Sequence, residues 1–231
     1  MNDAVLLPMT EAEWLNGPMA WSMLEYVRSS ASPRKMRLFG CACVRREFDL
    51  IPDRGGRAAV EAAERFADGA GGPIELRDLG TAVGVTAGRR QRDADLAGTH
   101  ALLAAMSIAR LGGDAAWEAA TEAVKAVRAA SWGAAGDRDA ADTERGSQAD
   151  LLRDIFGNPF SPVAMVPRWR TGDTVGLARG IYEDRAYERL PLLGDALMDA
   201  GCDDDQVLDH CRSPGPHARG CWVVDLVLGK E

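Results

Sequence analysis

Signals that start and stop helices recur along almost the whole chain, whereas the alternation of apolar and polar residues typical of β-strands is nearly absent. Thr10 with Glu13 fits a capping box, in which a hydroxyl and a carboxylate each satisfy a backbone amide of the first helical turn. Ser32 followed by Pro33 is typical of an N-cap and the first helical position. Gly69 stands where a helix is expected to end. This pattern predicts an all-α fold.

The spacing of these signals predicts an irregular multi-helix bundle. Prolines at three nearby positions in the second half of the chain exclude a continuous helix there and predict a proline-rich, irregular connection. A stretch of Gly, Ala, Asp and Arg favours a flexible loop. The prediction is a single helical domain over 1–231, with N-terminal helices in 1–132, a Gly/Ala/Asp-rich loop in 133–146 and C-terminal helices in 147–231.

Charge and composition exclude several classes of function. Of the 231 residues, 46% are hydrophobic, which is enough to form a core. The net charge of −8 disfavours nonspecific binding to nucleic acid or to an anionic membrane. The sequence contains no run of eighteen apolar residues, the length that a membrane-spanning helix needs. The N-terminal segment lacks the basic start of a signal peptide, and the odd number of five cysteines indicates free thiols. We therefore expect a cytoplasmic protein.

Potential ligand side chains concentrate in the last thirty residues, which hold two of the three histidines and three of the five cysteines. If 217–228 is helical, His217 and Cys221 are one turn apart on one face. Imidazole nitrogen and thiolate sulfur are ligands that zinc accepts in a tetrahedron. The pair could then bind zinc, with His210 or Cys211 as a third ligand and Cys202 or Cys41 as a fourth.

Other interpretations of the same cluster stay open. The spacing fits no standard zinc finger, and Cys202 and Cys221 could be small buried packing groups. Neighbours such as His210 and Cys211 seldom form a catalytic dyad, so no catalytic residue is assigned. An enzyme that uses His217, Cys221 and Asp225 in a cleft is one alternative. Convergence of three or more donor atoms within about 4 Å would favour a metal.

Asp225 lies in an otherwise apolar C-terminal segment. A carboxylate in a buried helix must be paired, because its transfer from water is otherwise too costly. Arg219, His217 or a basic residue of the helix that follows Ser32 could pair with it. We expect this pair to dock the C-terminus against the rest of the protein.

Four phrases of the sequence carry a family resemblance. The phrases are MTEAEWL at 9–15, RLFGCAC at 37–43, LLRDIFGNPF at 151–160 and GPHARGCW at 215–222. On these phrases the chain resembles a large group of uncharacterised proteins from planctomycete bacteria, some of which carry repeat-associated domains. The resemblance implies a cytoplasmic bacterial protein from an expanded family, and it implies no activity, cofactor or catalytic residue.

These observations predict a non-catalytic helical module that binds another protein or has a regulatory role. The expectation follows from a substantial core combined with the lack of a recognisable set of nucleophile, base and orienting group. Two alternatives are a zinc-stabilised helical module using His217, Cys221, His210 and Cys202, and an enzyme with a His/Cys/Asp site near the C-terminus.

Overall fold

A computed structural model of the chain describes residues 9–51, 54–92, 95–110, 114–135 and 138–231. These residues form twelve α-helices and no β-strand, which confirms the all-α, multi-helix prediction. No helix in the described ranges is both long enough and apolar enough to cross a membrane. The helices are α1 Glu11–Asn16, α2 Ala20–Val27, α3 Pro33–Arg46, α4 Arg54–Ala67, α5 Pro73–Arg92, α6 Leu96–Ser107, α7 Ala115–Ala135, α8 Arg138–Phe156, α9 Gly172–Asp184, α10 Leu190–Asp199, α11 Asp205–Arg212 and α12 Trp222–Leu228.

The local signals at the first helices act as predicted. The hydroxyl of Thr10 accepts from the backbone of Glu13, and the Glu13 carboxylate accepts from the backbone of Thr10 at 2.8 Å, so α1 begins with a capping box. Ser32 caps α3 by accepting from the Lys35 amide at 3.2 Å, and Pro33 is the first residue of that helix. Both starts depend on neighbouring residues alone.

Helix α3 lies at the centre of the N-terminal helices and is buried on nearly every side. It packs against α4, α7 and α8. A helix with apolar residues all round its circumference is stable only when other helices cover it. Its fully buried residues include Leu38, Phe39, Cys41, Cys43 and Val44.

The apolar core consists of two clusters. Helices α1 to α8 enclose the larger one, and α9 to α12 enclose a smaller one. Residues 157–166 join them without helical structure, which agrees with the predicted proline-rich connection. Helix α12 packs against both α8 and α9, so the C-terminal helices return to the N-terminal bundle. The candidate site lies at this junction.

The predicted flexible loop over 133–146 is wrong for the described residues of that range. Helix α7 continues to Ala135, and α8 begins at Arg138 and passes through Gly146. Alanine and arginine are strong helix formers, and their propensity outweighs the occasional glycine in this stretch. The low-complexity composition therefore predicted flexibility where two long helices end and start.

The predicted helix over 217–228 is also wrong in its first part. Helix α12 begins at Trp222, with Cys221 as its N-cap. Gly220 has a φ of +99°, a left-handed conformation that a right-handed helix does not contain. His217 therefore lies in the loop between α11 and α12, and the one-turn spacing argument does not apply to it.

Candidate metal centre

Four side chains with metal-ligand chemistry converge at the junction of the two apolar clusters. Asp154, His210, His217 and Cys221 each offer one donor atom, and these atoms lie within 4.8 Å of one another. His210 Nε2 is 3.1 Å from Cys221 Sγ and 3.3 Å from Asp154 Oδ1. His217 Nδ1 is 2.8 Å from the same Asp154 oxygen. Three of the distances between these donor atoms are therefore shorter than the 4 Å named in the sequence criterion, whereas the full set of four atoms spans up to 4.8 Å.

Each of the four residues comes from a different part of the chain. Asp154 lies in the last turn of α8, and His210 lies in α11. His217 belongs to the loop that follows α11, and Cys221 caps α12. The donor set therefore joins the last helix of the N-terminal bundle to the C-terminal helices.

Backbone groups fix the orientation of these side chains. The Ala218 amide donates to Asp154 Oδ2 at 2.9 Å, which leaves Oδ1 directed at the two imidazoles. His217 Nε2 lies 3.1 Å from the carbonyl oxygen of Ser213, so Nε2–H donates to it. The His210 ring meets the His217 ring edge-on at a centroid distance of 5.0 Å, and it also contacts Trp222. Backbone hydrogen bonds and ring contacts therefore fix the positions of these side chains.

Burial sets the electrostatics of the cluster. The side chain of Asp154 is 2% exposed, and those of His217 and His210 are 7% and 14% exposed. Burial opposes ionisation of Asp154, but hydrogen bonds from His210 and His217 outweigh it and hold the pKa of that carboxyl below its ordinary value. Burial also opposes the charged form of His217, yet its bond to Asp154 raises the pKa of the imidazole.

Cys221 is fully buried, and burial raises the pKa of its thiol well above the ordinary value. The neighbouring negative charge of Asp154 raises it further, while backbone amides of Val224 and Val223 hydrogen-bond the sulfur and oppose the rise. Without a bound metal ion, this thiol therefore stays protonated at neutral pH.

The structure brings together three of the four ligands named from the sequence. Cys202 is the exception: it is buried in the C-terminal apolar cluster and is not one of the four converging residues. Cys211 packs in the same cluster, and Cys41 lies in the N-terminal core. The fourth donor is Asp154, which sequence reasoning missed. Its signal was a carboxylate inside the apolar phrase LLRDIF, the same feature that drew attention to Asp225.

Asp225 lies outside the converging donors. It accepts two hydrogen bonds from Arg34, at 2.7 and 3.0 Å, and its side chain is 1% exposed. Arg34 belongs to the helix that follows Ser32, so one of the partners expected from the sequence is the observed one. A pair of bonds from one guanidinium to one carboxylate is among the stronger polar contacts in proteins.

Arg34 connects Asp225 to a larger polar network. Arg34 Nε donates to Asp68 at 2.9 Å, and the Tyr182 hydroxyl donates to the same carboxylate at 2.6 Å. Arg219 and Lys230 also pair with Asp68. These six residues, called the Arg34 network below, join α3 and the end of α4 to the C-terminal helices. They are Arg34, Asp68, Tyr182, Arg219, Asp225 and Lys230.

Comparison of the chain with family models, with curated proteins and with solved structures yields no match, so its functional interpretation rests on the geometry of the site.

Proposed function

We propose that Asp154, His210, His217 and Cys221 bind one zinc ion, and that the protein is a zinc-stabilised helical module. The observation that carries the proposal is the convergence of four donor atoms within 4.8 Å from separate parts of the chain. The ion would fasten the C-terminal helices to α8 of the N-terminal bundle.

The donor types and their spacing suit zinc. Zn²⁺ binds imidazole nitrogen and carboxylate oxygen at about 2.0–2.2 Å and thiolate sulfur at about 2.3 Å, so donors in a tetrahedral site stand about 3.3–3.8 Å apart. The contacts of 2.8 and 3.1 Å among the four side chains are slightly shorter than this spacing, the contact of 3.3 Å lies at its lower end, and no two donor atoms are more than 4.8 Å apart. Small shifts of the side chains would accommodate the ion. Mixed nitrogen, oxygen and sulfur ligands favour zinc over the hard cations Mg²⁺ and Ca²⁺.

Charge supports the same assignment. With Asp154 and Cys221 ionised and both imidazoles neutral, the four ligands carry two negative charges, which balance one divalent cation. Two buried anions within 4.8 Å of each other are unfavourable without a counter-ion. Binding the ion therefore requires loss of the thiol proton from Cys221, and the positive charge of the zinc ion favours that loss because it stabilises the thiolate.

The groups around the four ligands match those of established metal sites in proteins. A metal-bound histidine usually donates its other ring N–H to a carbonyl or carboxylate, and His217 Nε2–H donates to the Ser213 carbonyl. A ligating carboxylate is usually held by a further hydrogen bond, and the Ala218 amide supplies one to Asp154. These contacts orient the donors before any ion binds.

The arrangement favours a structural role for the ion. Catalytic zinc sites use three protein ligands and keep a position for water or substrate, whereas structural sites have four protein ligands. All four candidate ligands here are protein side chains, and none has more than 14% of its surface exposed. The protein-binding role expected from the sequence is compatible with a zinc-stabilised module and stays a prediction.

Metal content after purification without chelators tests the proposal, with two matched variants. Cys221→Ser removes a proposed ligand, and Cys202→Ser makes the same change at another buried tail cysteine outside the cluster. We expect one equivalent of zinc in the parent and in Cys202→Ser, and less than a tenth of an equivalent in Cys221→Ser. The measurement is elemental analysis by inductively coupled plasma mass spectrometry.

Cobalt substitution provides an independent readout. Tetrahedral Co²⁺ bound by one thiolate gives visible d–d bands and a thiolate-to-cobalt charge-transfer band in the near ultraviolet. We expect the charge-transfer band in Cys202→Ser and its loss in Cys221→Ser. A folded parent protein that takes up neither zinc nor cobalt at neutral pH would overturn the proposal.

A further inference from the structure

A second site lies beside the metal centre, in a pocket of about 310 Å³. Its walls come from the end of α3, the turn after α9 and the loop that contains His217. Four arginines line it: Arg45, Arg46, Arg185 and Arg219. This concentration of guanidinium groups stands out in a chain with a net charge of −8. We propose that the pocket binds a phosphate group, either as the free ion or carried by a small molecule.

The ion pairs of these arginines leave an excess of positive charge. Glu64 alone pairs with both Arg45 and Arg185. Arg219 shares Asp68 with Arg34 and Lys230, and Arg34 also pairs with Asp225. Arg46 pairs with Glu144. Six cations therefore share four carboxylates in these ion pairs, a surplus of two. A dianion such as phosphate matches that surplus, whereas a single carboxylate would balance half of it.

Donor geometry points to the same ligand class. A guanidinium has five N–H donors, and Arg45 gives two of them to Glu64 at 2.7 and 2.8 Å. Arg185 gives one donor to the same carboxylate. The remaining N–H groups come from three separate chain segments around the cavity. Donors arriving from several directions suit a tetrahedral oxyanion better than a planar one.

The backbone at Arg185 is an independent sign of a functional role. Arg185 is the C-cap of α9 and has a φ of +55°, which makes it the one non-glycine residue with positive φ in the described part of the chain. Glycine is the usual residue at such a position because a side chain is disfavoured there. Strained residues of this kind cluster at binding and catalytic sites. This strained residue also lines the pocket.

Tyr187 adds a further donor on the same wall. Its hydroxyl is buried and has no hydrogen-bond partner among the described residues. Burial raises the pKa of the phenol, so the hydroxyl stays protonated at neutral pH. Buried polar groups without a partner are rare and call for an explanation such as an absent ligand. Arg185 and Tyr187 therefore place two donors on the short segment between α9 and α10.

Isothermal titration calorimetry with inorganic phosphate at constant ionic strength tests the proposal, with glycerol 3-phosphate in a second titration. We expect one phosphate per chain, and tighter binding of the ester if the natural ligand carries the group on a small molecule. Arg185→Gln should weaken phosphate binding about tenfold or more, because it removes charge-assisted hydrogen bonds. Arg189→Gln removes the same charge four residues away at an exposed side chain and should change affinity less than twofold.

Arg185→Gly keeps the test decisive if the glutamine variant folds poorly. Glycine relieves the left-handed strain, and Glu64 keeps its paired bonds from Arg45, so this variant should fold while phosphate binding falls as in Arg185→Gln. Zinc content should be unchanged in both, which separates this site from the metal centre. Failure of the parent protein to bind either phosphate compound at millimolar concentration, or equal weakening by Arg189→Gln, would overturn the proposal.

Discussion

The metal centre and the Arg34 network are two buried polar clusters that fasten the same C-terminal helices to the same N-terminal bundle. They differ in how their charges are balanced. In the Arg34 network, Asp225 and Asp68 both meet Arg34, and Asp68 also meets Arg219 and Lys230. In the metal centre, a carboxylate and a thiol share two imidazoles and no arginine or lysine pairs with them in the described residues.

This difference indicates in which cluster the chain itself supplies the cations that balance the buried carboxylates. The Arg34 network brings its own cations, so its buried carboxylates are satisfied by the chain alone. The metal centre has acidic donors whose full ionisation needs an external cation. We therefore expect the network to stabilise the protein equally with and without zinc at neutral pH, and the centre to contribute fully only when zinc is bound. The predictions below test that contrast.

The largest expected effect is that of zinc itself. Free zinc at about a thousand times its Kd stabilises the folded state by about 4 kcal/mol, provided that the unfolded chain binds little. In a chain of this size, that free energy corresponds to a rise in Tm of about 10 °C. Differential scanning calorimetry with excess zinc and with a chelator measures the shift.

Two variants test whether the zinc-dependent rise in Tm comes from the metal centre or from the Arg34 network. Cys221→Ser should lose nearly all of the zinc-dependent rise, whereas Asp225→Ala should keep it, because the Arg34 network does not take part in binding. An equal zinc response in Cys221→Ser and the parent would break the assignment of the centre.

Asp225→Ala gives the next largest effect. Removing one partner of a buried ion pair costs about 3–5 kcal/mol because it leaves the other charge uncompensated. Arg34 keeps its bond to Asp68, so we expect the lower end, about 3 kcal/mol, and a fall in Tm of about 6–12 °C. Urea denaturation followed by circular dichroism measures the free energy. Asp209→Ala, at an exposed position of α11, is the control and should change Tm by less than 2 °C.

The stabilising contributions of the two clusters should also differ in their dependence on pH. Burial opposes ionisation of Asp68, but hydrogen bonds from Tyr182, Arg219 and Arg34 outweigh it and hold the pKa of its carboxyl below the ordinary value. A carboxyl with a depressed folded-state pKa stabilises the protein above its unfolded-state pKa of about 3.9, and this contribution is lost as the pH falls through the folded-state value. The network contribution is therefore constant between pH 6 and 8.

The zinc contribution should instead change within that range. Protons compete with zinc for imidazole and thiolate, so the zinc-dependent rise in Tm should grow from pH 6 to pH 8. The free energy of unfolding measured with and without zinc across pH 2–8 checks both trends. Asp68→Asn should flatten the loss below pH 4 and leave the zinc response in place. A zinc response that is independent of pH would contradict ligation by Cys221 and the histidines.

The fold was predictable to the extent that its signals are local. The caps at Thr10 and Ser32 depend on residues within one turn, and both helices begin there. The range 133–146 was mispredicted because composition describes average flexibility, whereas alanine and arginine propensity decides the local structure. The order of packing, with α3 at the centre, depends on contacts between distant segments that no local signal specifies.

The candidate site was predictable in part, and for a partly mistaken reason. His217 and Cys221 were paired by helical spacing, but they meet because a loop with left-handed Gly220 leads into α12. Cys202 was named on proximity in sequence, and its side chain faces apolar neighbours. Asp154 lies 56 residues before His210, so only the rule that a carboxylate in an apolar helix needs a partner could have identified it.

The smallest predicted effect tests how rigidly α8 holds the metal centre. Gly157 follows α8 with a φ of +66°, and a Cβ there would lie 3.2 Å from the ring of Trp222, the neighbour of Cys221. Gly157→Ala places a side chain in the left-handed region, which costs about 1–2 kcal/mol, so Tm should fall by about 2–8 °C. Gly176→Ala, inside α9 where a Cβ meets nothing within 4 Å, should instead raise the stability by about 0.5–1 kcal/mol.

Zinc affinity of the same two variants completes the comparison. Displacement of Trp222 by the new methyl group should move Cys221 relative to Asp154, so competition with a chromophoric chelator should show weaker zinc binding in Gly157→Ala and unchanged binding in Gly176→Ala. Asp225 lies one helical turn further along α12 and is held by two bonds from Arg34, so Asp225→Ala should cost the same free energy in the Gly157→Ala background. A cost that differs between the two backgrounds by more than about 0.5 kcal/mol would mean that the two clusters are energetically coupled through α12.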